Sequence, residues 1–344
     1  MYTVKKPTIR DVAEAAGVSV ATVSRQLNGS PASPDVAGRI QRAVTALQYT
    51  PNRVAQQLKA RRTNQIMHVV PDITNPYYAR MYRHVQTEAD KSGYTVMLFD
   101  TAEQEKNELR AVDLFAHGDA DGLVFCTIAK SEAILRRLKE INRPTVLTVR
   151  FDELCFDTLY SPGGHGIYLA AAYLLKLGHR DIAYVGGPGE STINVRRKSG
   201  FSLALSEAGQ EPNPDFFFEM DFSMEGGYRA GVYLLGLSKR PTAICCANDM
   251  LAMGVMQALQ ERGVRIPEDI SLTGEDDIEY VRVCRPSLTT IHNPSSFVAQ
   301  RAVEMLRERI EGRYDGAPRE VICSRELILR QSTRGLTKQV AARD

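Results

Sequence analysis

The sequence lacks three features that would place it in a membrane or outside the cell. It has no stretch of about 18 consecutive apolar residues, which a membrane-spanning helix requires. Its first residues, MYTVKKPTIR, contain no apolar core of the kind that a secretory signal has. Its six cysteines include no CxxC pair, so we expect buried, reduced thiols rather than disulfides or a metal site. These absences predict a cytoplasmic protein without a membrane-spanning helix.

The common signatures of enzyme active sites are also missing. The chain contains no GxSxG, HExxH or GxxxxGK[ST] motif. The run Gly186-Gly187-Pro188-Gly189 lacks the basic residue of a phosphate-binding loop and is better interpreted as a turn between a strand and a helix. The six histidines have no metal-ligand spacing, and consecutive side chains such as Glu275-Asp276-Asp277 rarely converge on one cation. We therefore expect no catalytic residue, no metal and no cofactor.

The composition of the sequence is typical of a folded protein, and its charge is unevenly distributed along the chain. In 344 residues, 43 % are hydrophobic and 24 % charged, which predicts two or three folding units. Residues 1–62 hold ten basic and three acidic side chains, a net charge of +7, whereas the rest of the chain has a net charge of −5. A small basic head on a mildly acidic body indicates that the head meets a polyanion. Charge alone leaves DNA, RNA and an anionic membrane open.

The head carries the pattern of three short helices. Thr8 and Asp11 have the spacing of a capping box, and Gly17 supplies a left-handed exit from the first helix. Ser19 is placed to cap a second helix, and Ser33 followed by proline to begin a third. The apolar positions that we expect to face inward are Ile9, Val12, Ala13, Ala16, Val23, Leu27, Val36, Ile40, Val44 and Leu47.

Two short helices joined by a tight turn predict a helix-turn-helix, whose second helix enters the major groove of DNA. If the apolar face of that second helix is buried, its outer face near the N-terminal end carries Val20, Ala21, Ser24 and Arg25. Such helices contact base edges at this end. On the pattern alone, a three-helix scaffold with solvated charges remains the alternative.

From residue 66 onward, apolar runs alternate with helical patterns, which is typical of two doubly wound α/β lobes with parallel sheets. The predicted strands are Ile66–Val70, Thr95–Phe99, Gly122–Cys126 and Thr145–Val149, then Ile182–Val185, Phe216–Phe218, Ala243–Cys246 and Ile270–Thr273. The predicted helices are Tyr78–Lys91, Glu132–Glu140, Gly164–Leu177, Val195–Ala208, Glu225–Gly236 and Met250–Arg262. Ligands bind beyond the carboxyl ends of such strands, so two facing lobes predict a cleft.

Several short sequence motifs are more specific than the pattern of apolar residues. The runs TIRDVA from residue 8, AGVS from 16 and TVSR from 22, together with Leu27-Asn28, closely resemble the DNA-binding head of the lac/gal repressor family. Residues 51–58, PNRVAQQL, resemble its hinge helix. Further matches in the body are Asn75-Pro76-Tyr77-Tyr78, Gly178-His179, Asn248-Asp249, PEDIS from 267 and LTTI from 288. The resemblance implies an all-α helix-turn-helix head at 1–50, a hinge at 51–63 and an α/β, two-lobed, periplasmic-binding-protein-like core at 64–344.

The resemblance also implies which residues contact DNA. These are Thr8, Ser19, Val20, Ala21, Thr22, Ser24, Arg25, Asn28, Asn52, Ala55 and Leu58. Val20, Ala21 and Arg25 match the specificity positions in their gal-type rather than lac-type form, so we expect gal-like half-sites. Leu58 matches the leucine that wedges into the minor groove at the operator centre. The hinge is too short to be a stable helix alone, so we expect it to order only on DNA.

For the cleft, the resemblance implies six effector contacts, to which we add Arg150. The seven candidates are Tyr77, Tyr78, Arg150, Arg197, Phe222, Asn248 and Asp276. The chain departs from the family at Thr148-Val149-Arg150, at Ser161-Pro162 and at Glu275, which replaces the usual aromatic residue. The added Arg150 favours a more acidic effector than a plain sugar. Two alternatives stay open: an interlobe ion pair between Arg197 and Asp276, and simple core packing of Phe222.

We therefore expect a cytoplasmic, nucleoid-associated transcriptional repressor that is not an enzyme. It binds a pseudo-palindromic, double-stranded operator as a homodimer, under the control of a small polar effector such as a sugar or nucleoside. The polar segment at 336–344 is too short for an apolar heptad tail, which favours a dimer over a tetramer. The alternatives are a transport-type binding protein, which the body alone would fit, and an α/β enzyme.

Overall fold

The computed structural model describes residues 7–27, 30, 32–50, 62–128, 131–162 and 164–336. The chain forms two compact units, Met1–Thr63 and Asn64–Asp344. The predicted hinge at 51–63 falls outside the described residues except for Arg62 and Thr63. The polar segment from 337 onward lies outside them as well. Among the described residues, no helix combines the length and apolarity needed to cross a membrane.

The described part of the first unit contains three helices around a small core of its own. The helices are α1 (Ile9–Ala16), α2 (Val20–Leu27) and α3 (Pro34–Ala46). The buried side chains of this core are Val12, Ala13, Ala16, Val23, Ile40 and Ala43. The other predicted inward positions, Leu27 among them, are half-buried at the margin of the core. The predicted apolar faces are therefore confirmed.

Local hydrogen bonds begin and end these helices much as the sequence predicts. The carboxylate of Asp11 accepts from the backbone N–H of Thr8 at 2.6 Å and from its hydroxyl at 2.8 Å. Ser19 Oγ accepts from the backbone N–H of Thr22 at 3.1 Å, which caps α2. Gly17 ends α1 with φ 63°, a left-handed conformation that favours glycine. Ser33 takes the N-cap position of α3, but its side chain makes no capping bond.

The second unit is built on two six-stranded sheets. In spatial order the first sheet is β11 (Glu320–Ile322), β5 (Asp157–Tyr160), β4 (Thr145–Leu147), β3 (Gly122–Phe125), β1 (Gln65–Val70) and β2 (Thr95–Asp100), all parallel. The second is β12 (Glu326–Ile328), β10 (Thr289–His292), β9 (Ser271–Asp276), β8 (Ala243–Cys246), β6 (Ile182–Gly186) and β7 (Phe217–Glu219). Only the edge strand β12 is antiparallel to its neighbour, so the predicted parallel sheets are confirmed with one exception.

Helices pack on each sheet to form two lobes. The first lobe carries α4 (Pro76–Asp90), α5 (Glu105–His117), α6 (Glu132–Ile141) and α11 (Ser295–Ile310). The second lobe carries α7 (His165–Lys176), α8 (Thr192–Glu207), α9 (Met224–Leu235) and α10 (Asp249–Glu261). Helix α11 packs directly on β3 at Gly122. A β-carbon at that position would approach the Leu306 side chain to 2.8 Å. The absence of a side chain there sets how closely helix and sheet approach.

The chain passes between the lobes three times. It leaves the first lobe after β5, returns between β10 and α11, and leaves again between β11 and β12. The segments concerned are 161–164, 293–294 and 323–325. Neither lobe is therefore a continuous piece of sequence.

Several element predictions need correction. The strand predicted at Phe216–Phe218 begins one residue later, because residues 214–216 form a short 3-10 turn. The strand predicted at Ile270–Thr273 begins at Ser271 and continues to Asp276, since its neighbours bury all six residues. The helix predicted from Val195 begins at Thr192, where Ser191 Oγ accepts from the backbone N–H of the third helical residue. Strands β5, β10, β11 and β12 and helices α5 and α11 were not predicted.

Candidate functional site

A cleft between the two lobes follows the carboxyl ends of the strands, where α/β sheets bind ligands. It encloses about 1180 Å³ of empty space, counting the part that is open to solvent. All seven effector contacts predicted from the sequence line it, namely Tyr77, Tyr78, Arg150, Arg197, Phe222, Asn248 and Asp276. The fold thus brings together residues that are up to 199 positions apart in the chain.

Two tyrosines at the start of α4 form an aromatic wall of this cleft. Asn75 begins the helix, and its Oδ1 accepts from the backbone N–H of Tyr77 at 3.0 Å. The rings of Tyr77 and Tyr78 meet edge to face with centroids 5.2 Å apart. Burial raises the pKa of both phenols above the usual value, so both hydroxyls stay neutral donors at physiological pH. This wall therefore offers an apolar surface and neutral hydrogen-bond donors.

Phe222 lies on the opposite side of the cleft, beside the turn after β6. A β-carbon at Gly187 would lie 2.1 Å from its ring, so the ring position depends on that glycine. The glycine run that contains Gly187 is a strand-to-helix turn, as predicted. Phe222 packs partly against the core of the second lobe and also lines the cleft, so core packing describes only part of its environment.

A buried cluster of charge lies between these aromatic groups. Arg197 Nη2 lies 2.9 Å from Glu275 Oε1 and 3.8 Å from Asp276 Oδ1, and the guanidinium is 5.8 Å from the centre of the Phe222 ring. Burial opposes the charge on Arg197, but the two carboxylates hold its pKa above the ordinary value. Burial also raises the pKa of Asp276 to about 6, an effect that Glu275 reinforces and Arg197 opposes.

The alternative of an interlobe ion pair between Arg197 and Asp276 is wrong. Both residues belong to the second lobe, Arg197 on α8 and Asp276 at the end of β9. The contact across the cleft is made instead by Arg80 of α4, whose two terminal nitrogens donate to the carbonyls of Asp276 at 2.8 Å and Asp277 at 2.6 Å. These bonds hold a strained backbone, because Asp276 has φ 116° and Asp277 φ 50°.

Asn248 and Arg150 already have protein partners in the cleft. Asn248 caps α10, with its Oδ1 accepting from the backbone N–H of Leu251 at 2.8 Å. Arg150 Nε pairs with Glu320 at 2.8 Å, and the guanidinium lies over the ring of Tyr160. Glu320 therefore engages Nε of Arg150, and an acceptor on an effector would bind its terminal nitrogens.

Sequence reasoning missed three further arginines: Arg196 and Arg325 line the cleft, and Arg80 supports it through the backbone carbonyl of Asp276. Arg80 lies within α4, Arg196 precedes the predicted Arg197, and Arg325 lies in the third crossover. Arg196 Nη2 donates to the carbonyl of Arg150 at 3.1 Å, and Ser191 Oγ donates to the carbonyl of Ile128 at 3.3 Å; both bonds also join the lobes. Adjacency to Arg197 was the one sequence signal for Arg196, and Arg80 and Arg325 had none.

A group of carboxylates lies at another part of the cleft. Glu103 and Asp72 belong to the first lobe and line the cleft, while Asp221 belongs to the second lobe. Burial raises the pKa of Glu103 to about 7, and the nearby charges of Asp72 and Asp221 add to that rise. Ionisation of Glu103 therefore opposes the folded arrangement.

We expect Glu103→Gln to raise the melting temperature at pH 8 and to change it little at pH 5. The pKa of Glu103 is about 7 in the folded protein and 4.5 ordinarily. The free energy of unfolding is therefore highest below pH 4.5, where Glu103 is neutral, and falls as the pH rises to 7. Glutamine keeps the neutral shape at every pH. Thermal unfolding at both pH values is the measurement, with the exposed Glu268→Gln as control. An equal gain at both pH values would contradict the assignment.

The second candidate site is the outer face of α2. Val20, Ala21 and Arg25 are exposed and Ser24 is half-buried, while Val23 is fully buried on the other side. Thr8, Ser19 and Thr22 lie close by in sequence, but their hydroxyls already bond within the caps of α1 and α2. The remaining predicted DNA contacts, Asn28, Asn52, Ala55 and Leu58, lie outside the described residues.

Two family models match this chain. Residues 8–52 match bacterial regulatory proteins of the lacI family, and residues 171–333 match a periplasmic binding protein-like domain. The HTH-type transcriptional repressor PurR of Photorhabdus laumondii is 33 % identical over 90 % of this chain and 92 % of the relative. The ribose operon repressor of Haemophilus influenzae is 34 % identical over 94 % of this chain and 98 % of the relative.

Solved structures give the same result. The lac repressor dimer bound to operator and the anti-inducer ONPF matches with a TM-score of 0.85 and 27 % identity, over 96 % of this chain and all of that one. A LacI-family regulator of Enterococcus faecium with bound ribose matches with a TM-score of 0.69 and 29 % identity, over 79 % of this chain and all of that one. The protein belongs to the lacI family of bacterial regulatory proteins: it is a DNA-binding transcriptional regulator with an effector-binding core, and it is not an enzyme.

Proposed function

We propose that the protein represses transcription as a homodimer whose two heads bind the halves of a pseudo-palindromic operator. The head is residues 1–50, the hinge 51–63 and the effector-binding and dimerising core 64–344. The relative known as the lac repressor was solved as a dimer on its operator, which supports this arrangement. The observation that carries the effector site is that all seven predicted contacts line one cleft.

In this proposal α2 reads the operator. Val20, Ala21 and Arg25 contact base edges in gal-like half-sites, and their exposure beside a buried Val23 supports that role. The other groups assigned to DNA are Thr8, Ser19, Thr22, Ser24, Asn28, Asn52, Ala55 and Leu58. The head has a net charge of +7, which attracts phosphates independently of sequence.

The effector is a small polar metabolite of the sugar or nucleoside class. Tyr77, Tyr78 and Phe222 provide aromatic surface, and Arg197 and Asp276 provide charge in a site largely removed from water. A relative named for the ribose operon and a neighbour with bound ribose support this class.

Control follows from the contacts between the lobes. Arg80 donates across the cleft to two backbone carbonyls and Arg196 donates to one, so lobe closure has a defined bonding pattern. An effector that binds one lobe arrangement more tightly shifts the population toward it and so changes operator affinity. Because operator DNA is the partner, we place the protein in the cytoplasm, in association with the nucleoid.

The test is to sequence the genomic fragments that the purified protein retains and to measure binding at two salt concentrations. We expect a pseudo-palindromic sequence with gal-like halves, and an affinity that falls steeply with salt because phosphate contacts release counterions. A transport-type binding protein would retain no DNA, and that result would overturn the proposal.

Leu58→Ala tests the proposed hinge. We expect weaker operator binding and loss of DNA bending, because an apolar wedge between base steps produces the kink. Effector affinity without DNA should stay unchanged, since residues 51–63 do not form the cleft wall in this proposal. Affinity and bending are measured on one operator fragment, with Gln57→Ala as the matched control, because it shortens a neighbouring side chain and keeps the helix propensity of the segment. Wild-type bending in Leu58→Ala would contradict the wedge.

A further inference from the structure

We propose that the effector carries an acidic group, a carboxylate or a phosphate, that binds Arg325 beside Ser161 in the cleft. This inference rests on the proposed role of the cleft as the effector site. It names a chemical class of effector and a contact residue, neither of which follows from the overall fold.

One hydrogen bond holds the Arg325 side chain in position, and another of its N–H donors has no hydrogen-bond acceptor in the described part of the chain. It lies in the third crossover, its side chain is 15 % exposed, and its Nε donates to Ser161 Oγ at 2.8 Å. Its Nη1 lies 3.7 Å from Glu275 Oε1, beyond hydrogen-bond distance. Among the described residues Nη1 is buried without a hydrogen-bond partner, an arrangement that costs stability until an acceptor arrives. Nε is thus anchored, while Nη1 keeps a hydrogen-bonding capacity that the described residues leave unmet.

The arginines around the cleft are unequally paired with carboxylates. Arg150 has Glu320 as its partner, and Arg197 has Glu275 at 2.9 Å and Asp276 at 3.8 Å. Arg325 approaches Glu275 only as a second cation on a carboxylate that is already engaged. Arg196 donates to a neutral carbonyl and has no ion pair within the described ranges. This end of the cleft therefore has more positive charge than its own carboxylates balance, which favours an anionic group.

At the same end of the cleft, one carboxylate oxygen lacks a hydrogen-bond donor among the described residues. Glu275 Oε2 is buried and has no hydrogen-bond partner in the described part of the chain. It lies against Gly166, where a β-carbon would approach it to 2.6 Å. A ligand hydroxyl would supply this donor, while the acidic group satisfies Arg325. The two unmet groups together fit a hydroxylated acid, such as a sugar phosphate or a sugar acid, better than a neutral sugar.

Inorganic phosphate tests the anion site without knowledge of the carbon skeleton. It is titrated calorimetrically into the full-length protein at constant ionic strength. We expect millimolar binding to the wild type and at least tenfold weaker binding to Arg325→Gln. Arg265→Gln is the matched control, because that arginine lies in an exposed pair with Asp269. Equal phosphate affinity in the wild type and Arg325→Gln would overturn the proposal.

A second variant covers the case in which Arg325→Gln does not fold. Arg325→Lys keeps the positive charge but loses the planar fork of donors, so phosphate binding should weaken several-fold while operator binding is retained. Phosphate affinity equal to that of the wild type in this folded variant would also overturn the proposal.

Matched sugars distinguish the two sources of negative charge. Ribose is compared with ribose 5-phosphate, and glucose with gluconate, for binding and for operator release. Tighter binding of the phosphate member assigns a sugar phosphate, and tighter binding of gluconate assigns a sugar acid. Neutral sugars that bind as tightly as their acidic partners would overturn the acidic effector while leaving the cleft as the effector site. The cleft assignment itself fails only if Phe222→Ala leaves effector binding unchanged.

Discussion

Replacing Arg197 with methionine is expected to lower the free energy of unfolding by about 3–5 kcal/mol at pH 8. The arginine lies between Glu275 and Asp276, both almost fully buried, and its removal leaves these two carboxylates without their nearest counter-charge. The loss should be smaller at pH 5, because burial has raised the pKa of Asp276 to about 6 and protonation then relieves the repulsion. Urea unfolding at the two pH values measures both effects.

Two companion variants show whether this loss comes from the buried cluster. Arg265→Met removes an arginine from an exposed pair with Asp269 and should change stability little. Glu275→Gln added to Arg197→Met should recover part of the loss, since it removes one of the stranded charges. A single-variant loss no larger than that of Arg265→Met would show that the cluster contributes no net stability.

Replacing Arg25 with alanine is expected to remove most of the preference for the operator over unrelated DNA. Arg25 is exposed on the outer face of α2, where a guanidinium can bind O6 and N7 of a guanine, a contact that supplies about 1–3 kcal/mol of discrimination. In a dimer both half-sites lose that contact. Gel-shift titrations with the retained operator and with a scrambled sequence measure the ratio of affinities.

Arg42→Ala is the matched control for this experiment. Arg42 is also exposed and also basic, but it lies on α3 rather than on the outer face of α2. Both variants lower the positive charge of the head equally, so non-specific binding should weaken to a similar extent. An operator preference that survives Arg25→Ala, or that falls equally in Arg42→Ala, would remove Arg25 from base recognition.

Sequence patterns predicted the strands that are apolar and missed those that are not. Strand β8 is apolar throughout, and β1 is apolar at most of its positions. Such runs predict a buried parallel strand. Strand β5 begins with Asp157, which is buried because Arg309 and Arg319 pair with its carboxylate at 2.8 Å. These partners lie more than 150 residues away in the chain. No local pattern could predict that an aspartate becomes a strand residue in this way.

The same reason divides the predicted cleft residues from the missed ones. Tyr77 lies in a motif that resembles a known family, and Phe222 and Asp276 match that family by position, so their roles could be transferred one by one. The roles of Arg80 and Arg325 depend on contacts between the lobes and at a crossover. Their partners in these contacts are far away in sequence. The unmet hydrogen bond of Arg325 Nη1 among the described residues follows from its distance of 3.7 Å to Glu275 Oε1, which is a property of the folded chain.

The three crossovers between the lobes have a consequence for how the protein is synthesised. The first lobe needs α11 and β11 to complete its core and its sheet edge, so it stays incomplete until residue 322 has been made. The head has its own core and is finished more than 250 residues earlier. Domains generally fold as units, in the order of their synthesis. A gene interrupted before α11 therefore yields a chain with a complete DNA-binding surface and no complete lobe to regulate it.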